Sequence, residues 1–406
     1  MKILFITDNF PPERNAPAKR TFEHTKEWIK SGHDVTIITG APNFPKGIVF
    51  NGYKNKIYQT EIINKIHVKR VWTFIAQNKG FMFRILDYIS FMFSSFICGL
   101  FTKKHDVVIA TSPQFFTAIS GYLISLFKRA DYVLEIRDLW PESIVTVGAI
   151  KESSFIIRIL YKISLFLYKK AKIIVCVTNS FKDDLINKGI EPRKIIVIKN
   201  GFNIESIISP TKTIDQIENE YKLNRNDFII SFIGTIGMAH GLNVIIEASK
   251  KVNNNIKFLI VGDGAKRDEL KKISIDENLK NILFISSVPW QEIINLNQII
   301  SANLVHLINE PLFKKVIPSK IFESMALKKP IIMGVLGEAN EIIKDARCGI
   351  TIVPEDSDSL CNAINQLYKK PDLINKLSKN GYDYVLKNYN RDKLANEMIE
   401  FIRINL

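Results

Sequence analysis

The residues best placed to do chemistry lie in the stretch 318–326, which reads PSKIFESMA. Pro318 and Ser319 predict the start of a helix, where free backbone N–H groups and a partial positive charge favour a phosphate. Lys320 adds a full charge, and Glu323, one turn further on, could accept hydrogen bonds from the two hydroxyl groups of a ribose. The stretch therefore indicates a nucleotide site, and the alternative is an ordinary capped helix that leads into a buried strand.

A second set of charged residues follows a predicted buried strand at positions 135–143, which read EIRDLWPES. Charged side chains at the end of such a strand are unfavourable unless they are paired or used. Because ligands bind at the carboxyl ends of parallel strands, we predict that Asp138, Arg137 and Glu142 are catalytic. The alternative is an ion pair between Arg137 and Asp138, with Trp140 filling the core.

Two glycine-rich loops in the second half each follow a predicted strand: residues 234–241 (GTIGMAHG) and 262–264 (GDG). Glycine lets the backbone approach a ligand closely and leaves N–H groups free for a diphosphate. The spacing is neither GxGxxG nor that of a P-loop, so each loop alone is a weak signal. A histidine there could contact a phosphate, although lone histidines are more often packed or surface residues. The predicted ligand contacts from these two loops are Gly234, Thr235, Gly237, His240 and Gly262. After the next strand, the backbone of Val288 and Pro289 could contact a flat base.

The loop after the first strand, residues 8–20, combines prolines with basic residues ahead of a helix. Prolines stiffen such a turn, and the basic residues could hold an anion. We therefore consider Arg14, Asn15 and Ala16 as an anion-binding loop, with a rigid surface turn as the alternative.

Short apolar runs rich in Ile and Val alternate with helix-length segments along nearly the whole chain. This alternation is typical of parallel sheets that are covered by helices on both faces. The predicted strands are 3–7, 34–39, 67–72, 107–111, 132–137, 173–178 and 195–199 in the first half, and 228–233, 257–261, 282–286, 304–308, 331–335 and 349–353 in the second. We expect an α/β fold with two doubly wound domains that face each other across a cleft.

A polar stretch after Asn200 interrupts the alternation, and 406 residues exceed what one ordinary core needs. We predict an N-terminal domain over residues 1–204 and a C-terminal domain over residues 205–388. Residues 389–406 include a last amphipathic helix with no strand left to serve, which we expect to pack back on the first domain.

The basic excess lies in the first half of the chain, where residues 1–200 hold 30 Lys and Arg against 16 Asp and Glu, compared with 26 against 25 in residues 201–406. Such an asymmetry indicates a surface that meets lipid headgroups, nucleic acid or a phosphorylated acceptor, or else a solvated, lysine-rich surface. Neither a nucleic-acid-binding motif nor interleaved aromatic and basic residues are evident, so we do not expect nucleic acid as a partner.

The four cysteines, at positions 98, 176, 348 and 361, have neither CxxC nor metal-site spacing. They indicate buried thiols in a reducing compartment. The first residues, MKILFITD, lack the long apolar core and the cleavage site of a signal peptide, so we expect a cytoplasmic protein.

Two segments of the first half, 81–101 and 155–172, read as amphipathic helices. In the first, a thin polar stripe and charges at Arg84 and Asp87 argue against a bilayer span. Basic residues near both apolar faces suit helices that lie in an anionic membrane interface. The alternative is that both helices simply cover the first sheet.

Taken together, these features make the chain resemble the retaining glycosyltransferases of family 4 over nearly its full length. Within that family it looks most like the bacterial O-antigen and capsule enzymes of the WbuB type, which transfer N-acetyl-L-fucosamine or a related amino sugar from UDP to a lipid-linked acceptor. The resemblance implies the GT-B arrangement of two Rossmann-like domains, the first for the acceptor and the second for the nucleotide sugar. It also implies a polyprenyl-diphosphate-linked glycan as acceptor, in O-antigen, lipopolysaccharide or capsule synthesis at the inner face of the plasma membrane. The motifs that carry it are FPPE (10–13), GHDVT (32–36), PNFPKG (42–47), RDLWPES (137–143), GDG (262–264) and PSKIFESMA (318–326).

The resemblance also implies residue roles. Glu323 would bind the ribose, while Ser319 and Lys320 would meet the ribose and the diphosphate. Val288 and Pro289 would contact uracil through their backbone, and Asp138 would lie beside the transferred sugar.

The chain departs from the family pattern at three places. Lys315 stands eight residues before Glu323, where the family has a second glutamate, and Thr235 and His240 replace a phosphate-binding Arg and Lys. Asn15 and Ala16 stand where many relatives have paired glycines. These changes move the expected diphosphate contacts toward Lys320 and Arg14.

Such enzymes keep the anomeric configuration without a protein nucleophile, and helix N-termini with Lys320 could stabilise charge on the diphosphate. Since no DxD triplet or acidic metal cluster is evident in the sequence, we expect neither a metal nor a cofactor. The alternative function, from another enzyme class, is a UDP-sugar epimerase on the same two-domain scaffold.

Overall fold

The computed structural model describes residues 1–44, 46–75, 81–112, 114–146, 148 and 150–406, with backbone only at 81 and 82. Pro45, which belongs to one of the motifs quoted above, lies outside the described residues. The chain forms two compact units, unit 1 of residues 1–200 and 391–406 and unit 2 of residues 201–390. The predicted boundaries were after residues 204 and 388.

The strands of unit 1 are β1 (Lys2–Ile6), β2 (Asp34–Gly40), β3 (Tyr58–Ile63), β4 (Ile66–Val71), β5 (Val107–Thr111), β6 (Asp131–Ile136), β7 (Ile173–Cys176) and β8 (Ile195–Val197). Within the described residues they form one sheet in the order β3-β4-β2-β1-β5-β6-β7-β8. Its pairs are parallel except β3 with β4. The sequence analysis missed β3, because this edge strand alternates between exposed and half-buried side chains and so lacks a continuous apolar run.

The helices that cover this sheet include α1 (Ala16–Lys30), α2 (Phe81–Leu100), α3 (Phe115–Lys128), α4 (Glu142–Thr146), α5 (Phe155–Lys170) and α6 (Asn179–Asn187). Asn15 caps α1, since its side chain accepts a hydrogen bond from Ala18 N at 3.0 Å, and Pro17 suits the first turn. The inner face of α2 carries Phe91 and Ser95, and the Ser95 hydroxyl lies 2.8 Å from that of Ser120 on α3.

Unit 2 contains the strands β9 (Phe228–Ile233), β10 (Ile256–Val261), β11 (Ile282–Ile285), β12 (Ile300–His306), β13 (Ile331–Gly334) and β14 (Gly349–Thr351). They form a parallel sheet in the order β11-β10-β9-β12-β13-β14. The sequence analysis placed β12 at residues 304–308, whereas it begins at Ile300. Its first half contains Ser301 and Asn303, polar residues that interrupt the apolar run, and Asn303 is buried because other side chains satisfy it.

The helices of unit 2 are α7 (Ile214–Tyr221), α8 (Asn243–Ser249), α9 (Arg267–Asp276), α10 (Trp290–Asn297), α11 (Lys320–Ala326), α12 (Glu338–Ala346), α13 (Ser357–Tyr368) and α14 (Pro371–Asn388). Short 3₁₀ segments precede α8 and α11, at Met238–His240 and Pro311–Lys315. Apolar side chains from both faces of the sheet form the core of this unit, among them Phe232, Phe258 and Phe322.

The last helix, α15 (Arg391–Asn405), belongs to unit 1 and packs on α1. Its buried face includes Ala395 and Met398, which join the core around Trp28. The Trp28 indole N–H donates to the Ala395 carbonyl at 2.8 Å, and Arg391 forms an ion pair with Glu23. The chain thus returns to its first domain.

Candidate functional site

The topology of unit 2 locates a ligand site at the carboxyl ends of β9 and β12. From β9 the chain winds outward through β10 and β11, then returns to the other side of β9 as β12. Ligands of doubly wound sheets bind where the winding reverses in this way. The loop 234–241 leaves β9 at this point, and α11 begins 14 residues after β12 ends.

Lys320, the first residue of α11, reaches this point. Its Nζ lies 3.7 Å from the centroid of the Phe232 ring, is buried, and has no hydrogen-bond partner among the described residues. Burial lowers the pKa of this ammonium to about 7, an effect that Glu323 partly opposes. A buried cation whose N–H donors are unused is unfavourable, so Lys320 favours an anion at this place.

The predicted glycines make room for this arrangement. A Cβ on Gly234, whose φ is +131°, would lie 2.5 Å from Lys320 Cε, and one on Gly262 would lie 2.0 Å from the Gly234 carbonyl oxygen. Gly234 and Gly262 therefore let Lys320 and two strand-end loops pack closely. Gly237 leads into the 3₁₀ segment, and Thr235 is exposed.

His240 lies in the same cluster but acts differently from the predicted phosphate contact. Burial, followed by the charge of Lys320, lowers its pKa to about 3, so the ring is neutral. Its Nδ1 lies 3.4 Å from the Gly237 N–H, which positions the loop. We conclude that His240 supplies packing and a hydrogen bond rather than a positive charge.

His306, at the end of β12, is a residue that the sequence analysis missed. Its Nδ1 lies 2.7 Å from the His240 carbonyl oxygen, and its Nε2 accepts from Glu355 N–H at 2.9 Å. These two bonds assign the proton to Nδ1. The available signal was a histidine within the otherwise apolar predicted strand 304–308.

Glu323 lies on α11 one turn after Lys320 and is half-buried. A buried chain of side chains holds this helix: the Ser231 hydroxyl donates to Asn303 Oδ1, and Asn303 Nδ2 donates to Ser324 Oγ at 2.9 Å. A cavity of about 20 Å³ beside Glu323 is lined also by Lys320, Trp290 and Asn303.

The first two residues of the stretch 318–326 make fewer contacts at this site. Ser319 occupies the N-cap position of α11, as predicted, but its hydroxyl makes no cap bond in the described structure. Pro318 precedes it, and Lys315 ends the 3₁₀ segment before it. Val288 and Pro289 follow β11 at the same edge of the sheet, and Pro289 caps α10.

In unit 1 the winding reverses between β1 and β5, and β6 lies beside β5. Asp138 lies two residues after β6. Burial raises the pKa of its carboxyl group to about 7, while hydrogen bonds from Ser143 and Leu139 N–H oppose the rise. Near neutral pH this carboxyl group therefore exists in both protonation states, as suits a residue that acts on a reacting sugar.

Arg137 does not form the ion pair with Asp138 that was the alternative prediction. In the described structure its Nε and Nη1 atoms are buried without hydrogen-bond partners. Glu142, by contrast, has a structural partner, because its Oε1 lies 2.5 Å from Lys188 Nζ. Trp140 stacks on Phe115 with ring centroids 5.1 Å apart, as the core-filling alternative predicted.

The proposed anion-binding loop of unit 1 serves the fold at one of its three residues. Asn15 is the cap of α1, and Asn15 Nδ2 also donates to Asn9 Oδ1 at 2.5 Å. Arg14 and Ala16 are exposed. The neighbouring Glu13 is buried and accepts the backbone N–H groups of Asn43 and Phe44, both at 2.8 Å. Two of the quoted motifs thus bind each other.

Asp8, the second residue after β1, is a further strand-end carboxyl that the sequence analysis passed over. Burial, with the nearby charges of Asp87 and Glu13, raises its pKa well above the usual range. Its position directly after the first strand was the signal. Asp8 therefore joins Asp138 as a protonatable group at the carboxyl edge of the unit 1 sheet.

Comparison with known protein families identifies the class of protein to which this chain belongs. Residues 18–206 match the model of Glycosyltransferase Family 4, and residues 213–384 match that of Glycosyl transferases group 1. The chain is a glycosyltransferase. The predicted enzyme class is confirmed, and the epimerase alternative is not favoured, because both matching models describe glycosyltransferases.

Individual relatives agree with this glycosyltransferase assignment. The putative colanic acid biosynthesis glycosyl transferase WcaI of Escherichia coli K12 is 24% identical over 417 aligned residues, which cover 99% of this chain and 100% of that protein. The UDP-Gal:alpha-D-GlcNAc-diphosphoundecaprenol alpha-1,3-galactosyltransferase of Escherichia coli is 27% identical over 58% of this chain and 61% of its own length.

Among solved structures, Anabaena HepE in complex with UDP-glucose is similar, with a TM-score of 0.75 at 16% identity over 99% of both chains. At this identity the likeness shows the fold. The glycosyltransferase therefore has the predicted GT-B-like fold with two Rossmann-like domains.

Proposed function

We propose that this glycosyltransferase moves a sugar from a UDP-sugar to a polyprenyl-diphosphate-linked glycan and retains the anomeric configuration. The observation that carries the proposal is the buried ammonium of Lys320 at the reversal point of the unit 2 sheet, which has no hydrogen-bond partner among the described residues. A diphosphate supplies the anion that this group lacks. The known HepE complex with UDP-glucose supports a UDP-sugar as the donor.

Within the donor site, Glu323 accepts hydrogen bonds from the ribose hydroxyls, and Val288 with Pro289 contacts uracil through backbone atoms. Lys320 carries the charge that develops on the departing diphosphate, so the proposed reaction requires no metal. His240 is neutral and therefore leaves this task to Lys320. The ribose role rests on the place of Glu323, one helical turn from Lys320.

For the acceptor and the sugar, the support comes from relatives and from Asp138. The galactosyltransferase relative acts on a diphosphoundecaprenol-linked sugar, which supports a lipid-linked acceptor here. We propose that Asp138 of unit 1 lies beside the reacting sugars. Its ionised carboxyl group would stabilise positive charge at the anomeric carbon. N-acetyl-L-fucosamine, or a related amino sugar of O-antigen or capsule synthesis, remains our proposed donor sugar.

Replacing Glu323 with Gln tests the donor site. We expect UDP affinity to fall about tenfold, because the amide loses the charge-assisted hydrogen bonds to the ribose while keeping the shape of the side chain. Isothermal titration calorimetry with UDP measures the change. Glu269→Gln, at an exposed position of α9, is the matched control and should bind UDP like the wild type. Equal affinity in Glu323→Gln and the control would refute the ribose assignment.

We further propose that unit 1 lies on the anionic inner surface of the plasma membrane. One described helix, residues 83–100 of α2, has the length and composition to cross a membrane, and 22% of it is buried. The charges at Arg84 and Asp87 favour an interfacial position over a span. Its outer side, together with α3 and α5, exposes an apolar helix patch that consists of Phe93, Ile97, Phe101, Leu126, Phe127, Phe155, Ile156, Ile159 and Phe166.

Basic residues accompany this apolar helix patch. Lys162, Lys169 and Lys170 on α5 are exposed, as an anionic lipid surface requires. Lys172, which the sequence analysis grouped with them, has structural partners instead, since its Nζ lies 3.0 Å from Asp131 Oδ1 and donates to the Leu406 carbonyl. Cys98 on α2 is buried, as predicted for the four cysteines.

Changing Phe93 and Ile97 together to Gln should weaken binding to vesicles of phosphatidylglycerol roughly tenfold or more, because two side chains that are 57% and 55% exposed no longer enter the lipid. Co-sedimentation measures the partitioning. Ile275→Gln, an equally exposed apolar position in unit 2, should change nothing. If the double variant partitions like this control, α2 does not contact lipid.

Triple replacement of Lys162, Lys169 and Lys170 by Gln should weaken binding to these vesicles while leaving binding to phosphatidylcholine vesicles unchanged.

A further inference from the structure

A buried cluster of charges lies behind Asp138 in unit 1, on β6, α1 and α15. Arg20 Nε pairs with Glu135 Oε1 at 2.9 Å, and Arg391 pairs with Glu23. Arg137 is the third guanidinium in electrostatic reach of this group. Among the described residues, three guanidinium groups thus share two carboxylates.

Two further titratable groups lie beside this cluster. His24 is neutral, because burial and then the charges of Arg20, Arg391 and Arg137 lower its pKa well below the usual range. The Asp138 carboxyl group accepts hydrogen bonds from Ser143 and Leu139 N–H and makes no ion pair with Arg137 in the described structure. Glu135 and Asp138 thus favour the charged form of Arg137 through space, without a hydrogen bond to its Nε or Nη1 among the described residues.

The guanidinium of Arg137 also has unused hydrogen-bond donors. Its Nε and Nη1 atoms are both buried, and neither has a partner among the described residues. Burying such donors without a partner is unfavourable, and more so for a charged group. Guanidinium groups bind phosphate oxygens through several N–H groups at once. The site thus has both the charge and the donors for a phosphate.

We propose that Arg137 binds the diphosphate of the lipid-linked acceptor. This inference rests on the proposed function, which assigns the donor diphosphate to Lys320 in unit 2. A membrane headgroup does not need a buried guanidinium, since exposed lysines of α5 are available to it. The acceptor diphosphate is the remaining anion of the reaction.

Arg137 and Asp138 are neighbours in the chain, with Cα atoms about 3.8 Å apart. The proposed diphosphate contact therefore belongs to the same strand end as the group that we assign to the reacting sugars. Removing the diphosphate from the acceptor should then weaken acceptor binding.

Binding of inorganic pyrophosphate to the full chain saturated with UDP tests the inference, because UDP then occupies the donor site. We expect the wild type to bind pyrophosphate under these conditions by calorimetry. In Arg137→Gln this affinity should fall roughly tenfold or more, and in Arg137→Lys, which keeps the charge, it should fall less. Arg193→Gln, at an exposed arginine, is the matched control and should bind normally.

The KM for the acceptor supplies a second readout. A purely structural role of Arg137 would not change this KM selectively. With N-acetylglucosamine on a short prenyl diphosphate as acceptor, Arg137→Gln should raise the acceptor KM roughly tenfold or more and leave the UDP-sugar KM unchanged. With the neutral alkyl glycoside of the same sugar, the variant and the wild type should have similar KM values.

Several outcomes would overturn the inference. One is that the wild type, saturated with UDP, binds no pyrophosphate. This measurement does not depend on whether a variant folds. Others are equal pyrophosphate affinity in Arg137→Gln and Arg193→Gln, or an acceptor KM that does not depend on the diphosphate. Failure of UDP to bind at all would instead refute the proposed donor site, so the two failures are distinguishable.

Discussion

Replacing Lys320 with Met should lower the affinity for UDP-glucose about 10- to 100-fold. The variant keeps a long side chain over Phe232 but loses the charge-assisted hydrogen bonds to the diphosphate. Because the ammonium is buried and unpartnered in the free protein, its removal should leave the melting temperature unchanged or raise it. Calorimetry and thermal denaturation measure the two effects.

The pH dependence of this binding has a definite sign. Burial lowers the pKa of Lys320 to about 7, so above pH 7 the free protein holds mostly the neutral amine. A bound diphosphate favours the charged form, so binding above pH 7 requires proton uptake and should weaken about tenfold per pH unit until the pKa of the complex is reached. UDP-glucose is the suitable probe because its diphosphate does not titrate in this range.

The control is Lys271→Met, at an exposed position of α9, which should bind UDP-glucose as the wild type does at every pH. Lys320→Met should show weak binding with no slope between pH 7 and about 9. A Lys320→Met variant with full affinity, or with the slope of the wild type, would assign the diphosphate to another residue.

Replacing Asp138 with Asn should lower kcat for sugar transfer by roughly 100- to 1,000-fold while UDP affinity stays unchanged. Asn keeps the shape and one acceptor oxygen but cannot carry the negative charge that we assign to stabilising the anomeric carbon. Burial raises the pKa of Asp138 to about 7, so in the wild type the rate should fall as pH drops below 7.

The fall in rate below pH 7, which is the acidic limb of the pH–rate profile, distinguishes Asp138 from other carboxyl groups. In the wild type, kcat/KM should pass through a maximum near pH 7, limited by Asp138 on the acidic side and by Lys320 on the alkaline side. Asp138→Asn should lose the acidic limb only. Glu142→Gln should retain both limbs, because Glu142 pairs with Lys188. An acidic limb that survives in Asp138→Asn would move the catalytic carboxyl group elsewhere, with Asp8 as the next candidate.

The sequence could indicate which unit 2 residues the fold brings together because they are local in the chain. Lys320 and Glu323 are one helical turn apart, and the glycine loops directly follow apolar strands, so position along the chain indicated position in space. The alternation of apolar runs likewise indicated the two doubly wound sheets, apart from the alternating edge strand β3.

What the sequence could not predict depends on pairing between distant residues. Glu142 meets Lys188, and Lys172 meets Asp131, which no spacing rule foresees. Only the fold shows that Arg20 pairs with Glu135, while the Nε and Nη1 atoms of Arg137 have no hydrogen-bond partner among the described residues. The neutral state of His240 is also a product of burial, which the sequence does not display.

The most direct test of the central claim is to incubate the purified protein with UDP-N-acetyl-L-fucosamine or a related UDP-amino sugar and a sugar-prenyl-diphosphate acceptor, and to analyse the lipid product by mass spectrometry and NMR. The account predicts a lipid-linked glycan one sugar longer, formed with retained anomeric configuration, and little consumption of the UDP-sugar when the acceptor is omitted. Acceptor-independent conversion of the UDP-sugar to an epimer, or a product with inverted configuration, would contradict it.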